Sequence, residues 1–493
     1  MNRILPETCW SLRRGVRHLG LLGALVVGVV TSVAQTLSIN TAAGTAGVIG
    51  SSNIAPGSFN SPNGVAIDSA GNVYIADSAN HAIRKISSAG VISTLAGTPG
   101  FAGLLDDLTP GAPVARFNFP RGITINSAGT VLFVADTNNH AIRQINLSGI
   151  GGSVTGVSTL AGTGIQGSLD AGAGSTFRSP IGITVNPAGT TVYVADSGNH
   201  VIRSINVVGP VVSTVAGIAG SSGSANGNSA TATFSTPFGI AMNTAGTALY
   251  VSDYATHVIR RVVLTPIVDV SIYAGVPTIP GGSNSSIGTT ATFSFPAGLA
   301  VDESDNLYVA DYGNNAIRLI SPAGSNAVVT AAGGTAGTAD GTGGGAQFNG
   351  PLGVATRTVS GTLVAVVADT NNHLIRRTGT VVSGTAPVIT AQPVSVTAQI
   401  GASVTFTGSA TGTPTPTLRW QRQAAETTGF VDLADDGIYS GTTTNTLTIS
   451  NVAAGMSGDQ VRLVATNAVS SATSSAALLT VNLGTSIARF AGS

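Results

Sequence analysis

Apolar and polar residues alternate in short runs along most of this chain, and turn residues separate the runs. The stretch from residue 64 to residue 97 contains four such runs, "GVAID", "VYIAD", "AIRKI" and "VISTLAG". Runs of this length that are rich in Val, Ile and Tyr are typical of β-strands. The pattern therefore predicts four short strands joined by turns.

The same four-run unit occurs six times. Its second and third runs recur as "VYIADSANHAIRKI", "LFVADTNNHAIRQI", "VYVADSGNHVIRSI", "LYVSDYATHVIRRV", "LYVADYGNNAIRLI" and "AVVADTNNHLIRRT". The six aspartates are 57 to 60 residues apart: Asp77, Asp136, Asp196, Asp253, Asp311 and Asp369. Four antiparallel strands cannot bury both of their faces alone, whereas six sheets arranged around a channel cover one another. We therefore predict an all-β propeller.

A second element, Phe-x-x-Pro-x-Gly, opens the first strand of every unit. Its six copies are "FNSPNG", "FNFPRG", "FRSPIG", "FSTPFG", "FSFPAG" and "FNGPLG". With the recurring Asp and Arg, this pattern resembles the NHL repeat over residues 37–382. The resemblance implies a six-bladed NHL-type β-propeller.

A tripeptide ending in Ala-Gly marks the outermost strand of each unit, and its positions indicate how the ring closes. One copy, Ala42–Gly44, precedes the first complete unit, whereas the sixth unit ends at "RRTGTVVSG" without a copy. We therefore expect the strand around "LSINTAAG" to complete the last blade, which leaves the ring without a free sheet edge.

The repeat stops after "SGTAPVITAQP", and residues 386–482 resemble an immunoglobulin-like sandwich of the intermediate-set type. The resemblance implies that Trp420 is the buried tryptophan of the third strand. Gly408 and Leu463 stand where the family has paired cysteines, and Val461 replaces its corner tyrosine. We expect an apolar core around Trp420 to stabilise this domain without a disulfide. Residues 483–493 form a tail that we do not assign.

Residues 1–34 have the pattern of a secretory signal peptide. Arginines at positions 13, 14 and 17 precede the apolar run "LGLLGALVVGVV", and small residues follow at Ser32 and Ala34. The apolar run is short for a membrane span, which needs roughly 20 residues. An uncleaved membrane anchor is the alternative. We expect a secreted, periplasmic or cell-surface protein with no stable membrane span after cleavage. The only cysteine, Cys9, would be lost with the signal.

Charge is sparse in this chain, since only 9% of the residues are charged and the formal net charge is zero. A large basic face that neutralises many phosphates is therefore not expected, which argues against nucleic acid as a partner. No nucleophile elbow, phosphate-binding loop or zinc-binding helix motif is present. We accordingly predict no cofactor.

An Asp, a His and an Arg lie within eight residues of one another in "ADSGNHVIR", which looks like acid–base chemistry. The Asp and the Arg recur in all six units, so the blade itself requires them, and we predict a structural role in capping the turn. Five of the six histidines share one repeat position: His81, His140, His200, His257 and His373. The fifth unit has Asn315 there. Equivalent positions on packed sheets are about 10 Å apart, too far to share a metal ion, so no metal site is predicted.

The connections from Ala-Gly to the next Phe-x-x-Pro vary most between units, and variable loops often bind ligands. In these loops Asp107, Asp170 and Asp340 resemble one another in position, with Asn226 in a comparable place. Polar and aromatic residues that are not repeated are better candidates. The predicted ligand-binding residues are Asp106, Arg116, Arg121, Arg178, Phe238, Tyr254 and Tyr312. Arg121 and Phe238 lie between the Pro and the Gly, so we expect them at the mouth of the channel.

Two functional hypotheses follow. The first is an exported, non-catalytic binding or adhesion scaffold whose loop face recognises a protein or a glycan, with the immunoglobulin-like domain as a spacer or second contact module. The alternative is a propeller enzyme, a metal-dependent lyase or lactonase, with its site at the channel mouth. Such a site would draw on Asn126, Asn186, Asn243, Asp68 and Asp302 at the ends of the innermost strands.

Overall fold

The computed structural model describes residues 36–111, 114–378, 385–413, 415–467 and 471–482. The predicted signal peptide and the tail after residue 482 lie outside the described residues. Across the described ranges, no helix has the length and the apolar character needed to cross a membrane.

Six antiparallel sheets follow one another along residues 38–378, and each has four main strands. We number these sheets as blades 1 to 6. From the innermost strand outwards, the strands are Pro62–Ile67, Val73–Asp77, Ala82–Ile86 and Ile92–Ala96 in blade 1; Pro120–Ile125, Val131–Asp136, Ala141–Leu147 and Val154–Ala161 in blade 2; Pro180–Val185, Thr191–Asp196, Val201–Asn206 and Val212–Ala216 in blade 3; Pro237–Met242, Ala248–Asp253, Val258–Val263 and Asp269–Ala274 in blade 4; Pro296–Val301, Leu307–Asp311, Ala316–Ile320 and Val328–Gly333 in blade 5; and Pro351–Val359, Thr362–Asp369, Leu374–Thr378 and Ser38–Ala43 in blade 6. Two-residue strands, Gly227–Asn228 and Gly341–Thr342, extend the outer edges of blades 4 and 6.

A short 3₁₀ turn joins the second strand of every blade to the third, and we call the end of the ring that carries these turns the turn face. The six turns are Ser78–Asn80, Thr137–Asn139, Ser197–Asn199, Tyr254–Thr256, Tyr312–Asn314 and Thr370–Asn372. Two more 3₁₀ turns, Gly288–Thr290 and Gly343–Gly345, lie in the connections before blades 5 and 6. The long connections between blades also contact the turn face, because the asparagine that ends the turn donates to a carbonyl of its own connection in every blade except blade 4, which has Thr256 there.

The innermost strands adjoin one another in sequence order, and the innermost strand of blade 6 adjoins that of blade 1. The glycine of each Phe-x-x-Pro-x-Gly element permits this close approach. A Cβ atom on Gly64 would lie 2.2 Å from the Arg121 carbonyl oxygen, and one on Gly353 would lie 2.1 Å from the Asn63 carbonyl oxygen. The same clash, at 2.0 to 2.4 Å, would occur at the other four glycines: Gly122, Gly182, Gly239 and Gly298. The ring of inner strands therefore requires glycine at this position.

The two ends of the propeller join within blade 6. Ser38–Ala43 pairs antiparallel with Leu374–Thr378, with Ile39 opposite Thr378. Ile39 is fully buried against the core between blades 5 and 6. The prediction that the first strand completes the last blade is therefore confirmed.

The second part of the chain, from residue 385, forms the predicted sandwich. Its strands are Thr385–Ala391, Val396–Gln399, Val404–Thr407, Ser409–Thr413, Thr417–Gln423, Val431–Asp432, Tyr439–Ser440, Thr446–Ile449, Gln460–Thr466, Ser471–Thr473 and Ala477–Asn482, with a 3₁₀ turn at Ala454–Met456. Trp420 is fully buried at the centre of the apolar core, and its indole nitrogen donates to the Thr444 carbonyl. A Cβ atom on Gly408 would lie 3.6 Å from Leu463 Cβ, so these two residues do face each other as cysteines would. Leu463 fills the space that a disulfide would occupy.

Candidate functional site

Each blade buries one arginine and one aspartate between its strands and its own connection. The arginine Nη1 donates to the aspartate at 2.8 to 3.3 Å, and both side chains are at most 1% exposed. The guanidinium lies 4.9 to 5.3 Å from the ring of the Phe-x-x-Pro phenylalanine. The other aspartate oxygen accepts from the backbone N–H that follows this phenylalanine, at 2.6 to 2.8 Å. The repeated Asp and Arg do have a structural role, as predicted, but the expected capping of the turn is wrong. The aspartate side chain makes no cap hydrogen bond to the 3₁₀ turn that follows it, and it joins the third strand to the Phe-x-x-Pro element instead.

The buried carboxylates have lost most of their hydration. Burial raises the pKa of Asp136, Asp196 and Asp253 to about 6, and it outweighs the opposing effect of the neighbouring arginines and of the hydrogen-bond donors. The pKa values of Asp77, Asp311 and Asp369 are raised for the same reason. The perturbation accompanies the same buried ion pair in every blade.

The arginine also binds the connection before its blade, and this corrects one sequence prediction. Its Nη2 donates to the side chain of one connection residue in each unit: Asn53, Asp106, Asp170, Asn226, Asn284 and Asp340. Asp106 therefore occupies the repeated position, and Asp107 does not. Asp106 accepts from Arg143 at 2.8 Å and from the Thr159 hydroxyl at 2.9 Å. Because Asp106 and Asp107 are adjacent, the sequence alone does not show which of the two occupies the repeated position.

The histidines link neighbouring blades. In each case Nδ1 accepts from the backbone N–H that precedes the Phe-x-x-Pro proline of the next blade, at 3.0 to 3.1 Å. Asn315 makes the equivalent bond to Gly350 through its side-chain oxygen at 2.9 Å. All six residues have positive φ, from 51° to 62°. Burial lowers the pKa of each of these five histidines, which favours the neutral form that can accept.

The residue after each aspartate shows where the sixfold symmetry is broken. In four blades it is Ser or Thr, and its hydroxyl donates to the proline carbonyl of the next blade at 2.5 to 2.7 Å. Blades 4 and 5 have Tyr254 and Tyr312 instead. In blade 4, Ser252 supplies the missing link by donating to the Ala297 carbonyl at 2.6 Å. Blade 5 has Ala310 at the position of Ser252, so no hydroxyl of a described residue makes this bond there.

Both tyrosines contact a cluster of apolar side chains at the mouth of the channel. The Tyr254 ring stacks on Phe238 with ring centres 5.2 Å apart, and it lies 5.0 Å from Phe295 and 6.5 Å from Tyr312. Phe238 is buried, whereas Tyr254 and Tyr312 are half-buried and Phe295 is 39% exposed. Blades 4 and 5 therefore present an aromatic cluster, Phe238–Tyr254–Phe295–Tyr312, to one side of the mouth.

The opposite side of the mouth is polar. Here Asn63 and Arg121 line a cavity of about 60 Å³, and the backbone of the six Pro-x-Gly segments surrounds it. The Arg121 guanidinium lies 5.2 Å from the Phe119 ring. The expected position of Arg121 and Phe238 at the channel mouth is confirmed. Sequence reasoning missed Phe119 and Phe295, both of which adopt positive φ, 54° and 52°, just before the proline.

The remaining predicted residues lie farther out. Arg116 is exposed in the connection before blade 2, with its guanidinium 5.8 Å from the Phe101 ring. Arg178 is exposed on the turn face and lowers the pKa of His140 and His200 in addition to the effect of their burial. The structure thus brings together Arg121, Phe238, Tyr254 and Tyr312, and it places Arg116 and Arg178 in the surrounding loops.

The residues proposed for a catalytic site have structural partners. The Asp68 carboxylate accepts from the backbone N–H groups of Ala70 and Asn72 and from the Tyr74 hydroxyl, and Asp302 has the equivalent bonds. The asparagines at positions 126, 186 and 243 accept from the N–H groups of the same tight turn. Searched over the described ranges, the chain contains no group of three or more His, Cys, Asp or Glu residues placed to hold a metal ion.

Comparisons with known proteins agree with this architecture. The NHL repeat matches residues 59–86, 117–145 and 293–318, and the immunoglobulin domain matches residues 386–467. The protein is thus an all-β propeller built from NHL repeats, with an immunoglobulin-like domain after it. Both resemblances noted from the sequence are confirmed.

The alignments with individual relatives cover only part of each relative. The chain is 31% identical over 271 residues to the protein SUPPRESSOR OF QUENCHING 1, chloroplastic, of Arabidopsis thaliana. This alignment covers 53% of the chain and 25% of the relative. The chain is also 29% identical over 345 residues to NHL repeat-containing protein 2 of Bos taurus, and this alignment covers 64% of the chain and 46% of the relative. The chain therefore spans less than half of these relatives. An auxiliary nutrient binding protein from Bacteroides thetaiotaomicron has a similar fold, with a TM-score of 0.51, 17% identity and coverage of 70% and 76%.

Proposed function

We propose that this protein is an exported, non-catalytic binding module whose channel mouth and surrounding loops recognise a protein or a glycan outside the cell. The immunoglobulin-like domain would act as a spacer or a second contact module. One observation carries the proposal: the residues that depart from sixfold symmetry converge on the channel mouth. Recognition of one ligand at one place requires such a departure, whereas the architecture of the blades does not.

The chemistry of the mouth supports binding rather than catalysis. Aromatic side chains supply apolar contact area together with polar hydroxyl groups, and they dominate many recognition surfaces. The acids on the turn face are engaged by arginines or by backbone N–H groups. They are therefore not free to act as a general acid or base. The similar Bacteroides structure is that of a nutrient binding protein, and a binding role here is consistent with that.

The test compares the wild type with a variant that restores the repeat. Tyr254→Ser combined with Tyr312→Thr installs the residues that the other blades have at this position, so we expect the fold to be preserved. Glycan and protein arrays are probed with both proteins. Ligands bound by the wild type and lost by the variant are the expected result. An identical set of ligands for both proteins would overturn the proposal for the channel mouth.

Export is tested separately. Expression of the full chain should yield a mature protein outside the cytoplasm, with its N-terminus at Gln35, as read by mass spectrometry. A cytoplasmic protein that retains Met1 would contradict this part of the proposal.

A further inference from the structure

Arg121 is a half-buried cation without an acidic partner. Its side chain makes no hydrogen bond or ion pair with any described residue, although its Nε atom is buried. The six structural arginines also leave Nε unpaired, but their terminal nitrogens each make two hydrogen bonds. Burial lowers the pKa of Arg121, and Tyr254 opposes the shift. The positive charge at the channel mouth is therefore not neutralised.

The loops of blades 2 and 3 carry two further arginines without a described ion-pair partner. Arg116 and Arg178, like Arg121, take part in no ion pair among the described residues. Of the acids in the same loops, Asp106 pairs with Arg143 and Asp170 with Arg203, whereas Asp107 accepts from Thr109 and Val114 and pairs with no described arginine. Arg143 and Arg203 each also pair with a buried aspartate, so the charges of this sector balance. What distinguishes Arg121 is the lack of a described acid in contact with it, not a net positive charge around it.

We propose that the channel mouth binds a carboxylate-bearing glycan: Arg121 contacts a carboxylate of a uronic acid residue, and the aromatic cluster holds the apolar C–H face of a sugar ring. This inference rests on the proposed binding function and names its ligand class. A guanidinium pairs with a carboxylate through two parallel hydrogen bonds, which an uncharged sugar cannot offer. Asn63, buried beside Arg121, adds a polar group on the same side of the mouth.

The size of the cavity decides how the ligand lies. At about 60 Å³ it is far smaller than the roughly 300 to 1,000 Å³ of pockets that enclose small molecules. A carboxylate or another small group can enter, whereas a sugar ring must rest across the mouth. Tyr254 and Tyr312 are half-buried at that level, so an extended chain can contact both sides at once.

The channel mouth lacks the surfaces to which peptides commonly bind. A strand binds along a free sheet edge, and a helix binds in an apolar groove. Each innermost strand is the edge strand of its sheet, but the six strands adjoin one another around the ring, and the cavity of about 60 Å³ at the mouth leaves no room for an added strand. The apolar side chains form a compact cluster on one side rather than a groove.

The experiment uses the full mature chain and calorimetric titration with three tetrasaccharide probes, built of galacturonate, of mannuronate, or of alternating glucuronate and a neutral sugar. Each probe is matched by its methyl ester, which keeps the sugar and removes the charge. Variants are Arg121→Gln and, as the control, Arg357→Gln. Arg357 is also half-buried and lines the same channel, but at its opposite end. The thermal midpoint of each variant is recorded, and only a small shift is expected for Arg121→Gln, because its side chain makes no hydrogen bond with a described residue and loses only its contact with the Phe119 ring.

We expect at least one acidic probe to bind, with a loss of roughly tenfold or more in affinity on esterification and in Arg121→Gln. Arg357→Gln should bind as the wild type does, and added salt should weaken binding. Failure of all three acidic probes, or equal affinity for acid and ester, overturns the glycan assignment. Arg121-dependent binding of a short peptide with a free C-terminus, lost on amidation, also overturns it in favour of a peptide. If a neutral glycan binds and Tyr254→Ser abolishes that binding, the binding function stands and only the charge assignment falls.

Discussion

The interior of the blades and the rim of the channel mouth are built on opposite principles. Inside the blades the same three side chains, Arg, Asp and Phe, recur six times with nearly the same distances. At the mouth the residue between Pro and Gly differs in every blade: Asn63, Arg121, Ile181, Phe238, Ala297 and Leu352. The backbone at the two places is equally regular. The residues that determine the fold are therefore the repeated ones. Residues available to recognise a ligand lie at the positions that differ between blades.

The largest expected effect on the free energy of unfolding comes from comparing two arginines, Arg203 inside blade 3 and Arg178 in the connection before it. Arg203→Met leaves the Asp196 carboxylate buried without its cation, and such a loss costs about 3 to 5 kcal/mol of the free energy of unfolding. Arg178→Met removes an exposed side chain that makes no ion pair with a described residue, so its effect should stay within about 0.5 kcal/mol. Denaturant unfolding followed by far-ultraviolet circular dichroism measures both. Similar losses for the two variants would mean that the buried pair is not a structural requirement.

A second prediction concerns the glycines that bring the inner strands together. Gly182→Ala places a methyl group 2.2 Å from the Phe238 carbonyl oxygen, and we expect a loss of about 1 to 3 kcal/mol or more because backbone atoms must move. Gly174→Ala is the matched control. Gly174 lies exposed in the connection before blade 3, and a methyl group placed there would meet no described atom within 4 Å. Equal thermal midpoints for the two variants would show that the ring tolerates a wider spacing between blades 3 and 4.

Much of this architecture could be predicted because the six copies of the repeat can be compared with one another. Six copies of one segment separate the Asp and Arg that every blade needs from the residues that vary. The first strand could be assigned to blade 6 because its Ala-Gly was missing from the end of the repeat. The partner of the arginine in the connection was harder to predict. Insertions shift the register there, and the adjacent Asp106 and Asp107 cannot be distinguished by spacing.

The assembly of the mouth could be predicted only in part. The position between Pro and Gly pointed to Arg121 and Phe238, since an innermost strand begins there. Phe119 and Phe295 gave no such signal, because positive φ at an aromatic residue is not visible in a sequence. The role of the histidines was also hidden. Their bonds reach the next blade, about 40 residues away in the chain, and only the closed ring brings the partners together.

The smallest expected effect tests the histidine links. His373 Nδ1 accepts from the Ser61 N–H at 3.1 Å and so joins blade 6 to blade 1, while the neighbouring link uses Asn315. His373→Asn copies that natural replacement, and asparagine tolerates the positive φ of this turn. At pH 7.5 we expect a change below about 1 kcal/mol, the contribution of one hydrogen bond.

The pH dependence should differ between these two proteins. Burial lowers the pKa of His373 in the folded chain, whereas an unfolded histidine titrates near about 6.5. Its stabilising contribution is therefore fully present above that pH, and it is lost as the pH falls through the lowered folded value, because protonation removes the Nδ1 acceptor. Between pH 7.5 and 5.5 the wild type should lose more free energy of unfolding than His373→Asn. The buried aspartates titrate in both proteins and cancel in the difference. If the two proteins lost the same free energy over this range, the histidine would serve the turn alone and not the contact between blades.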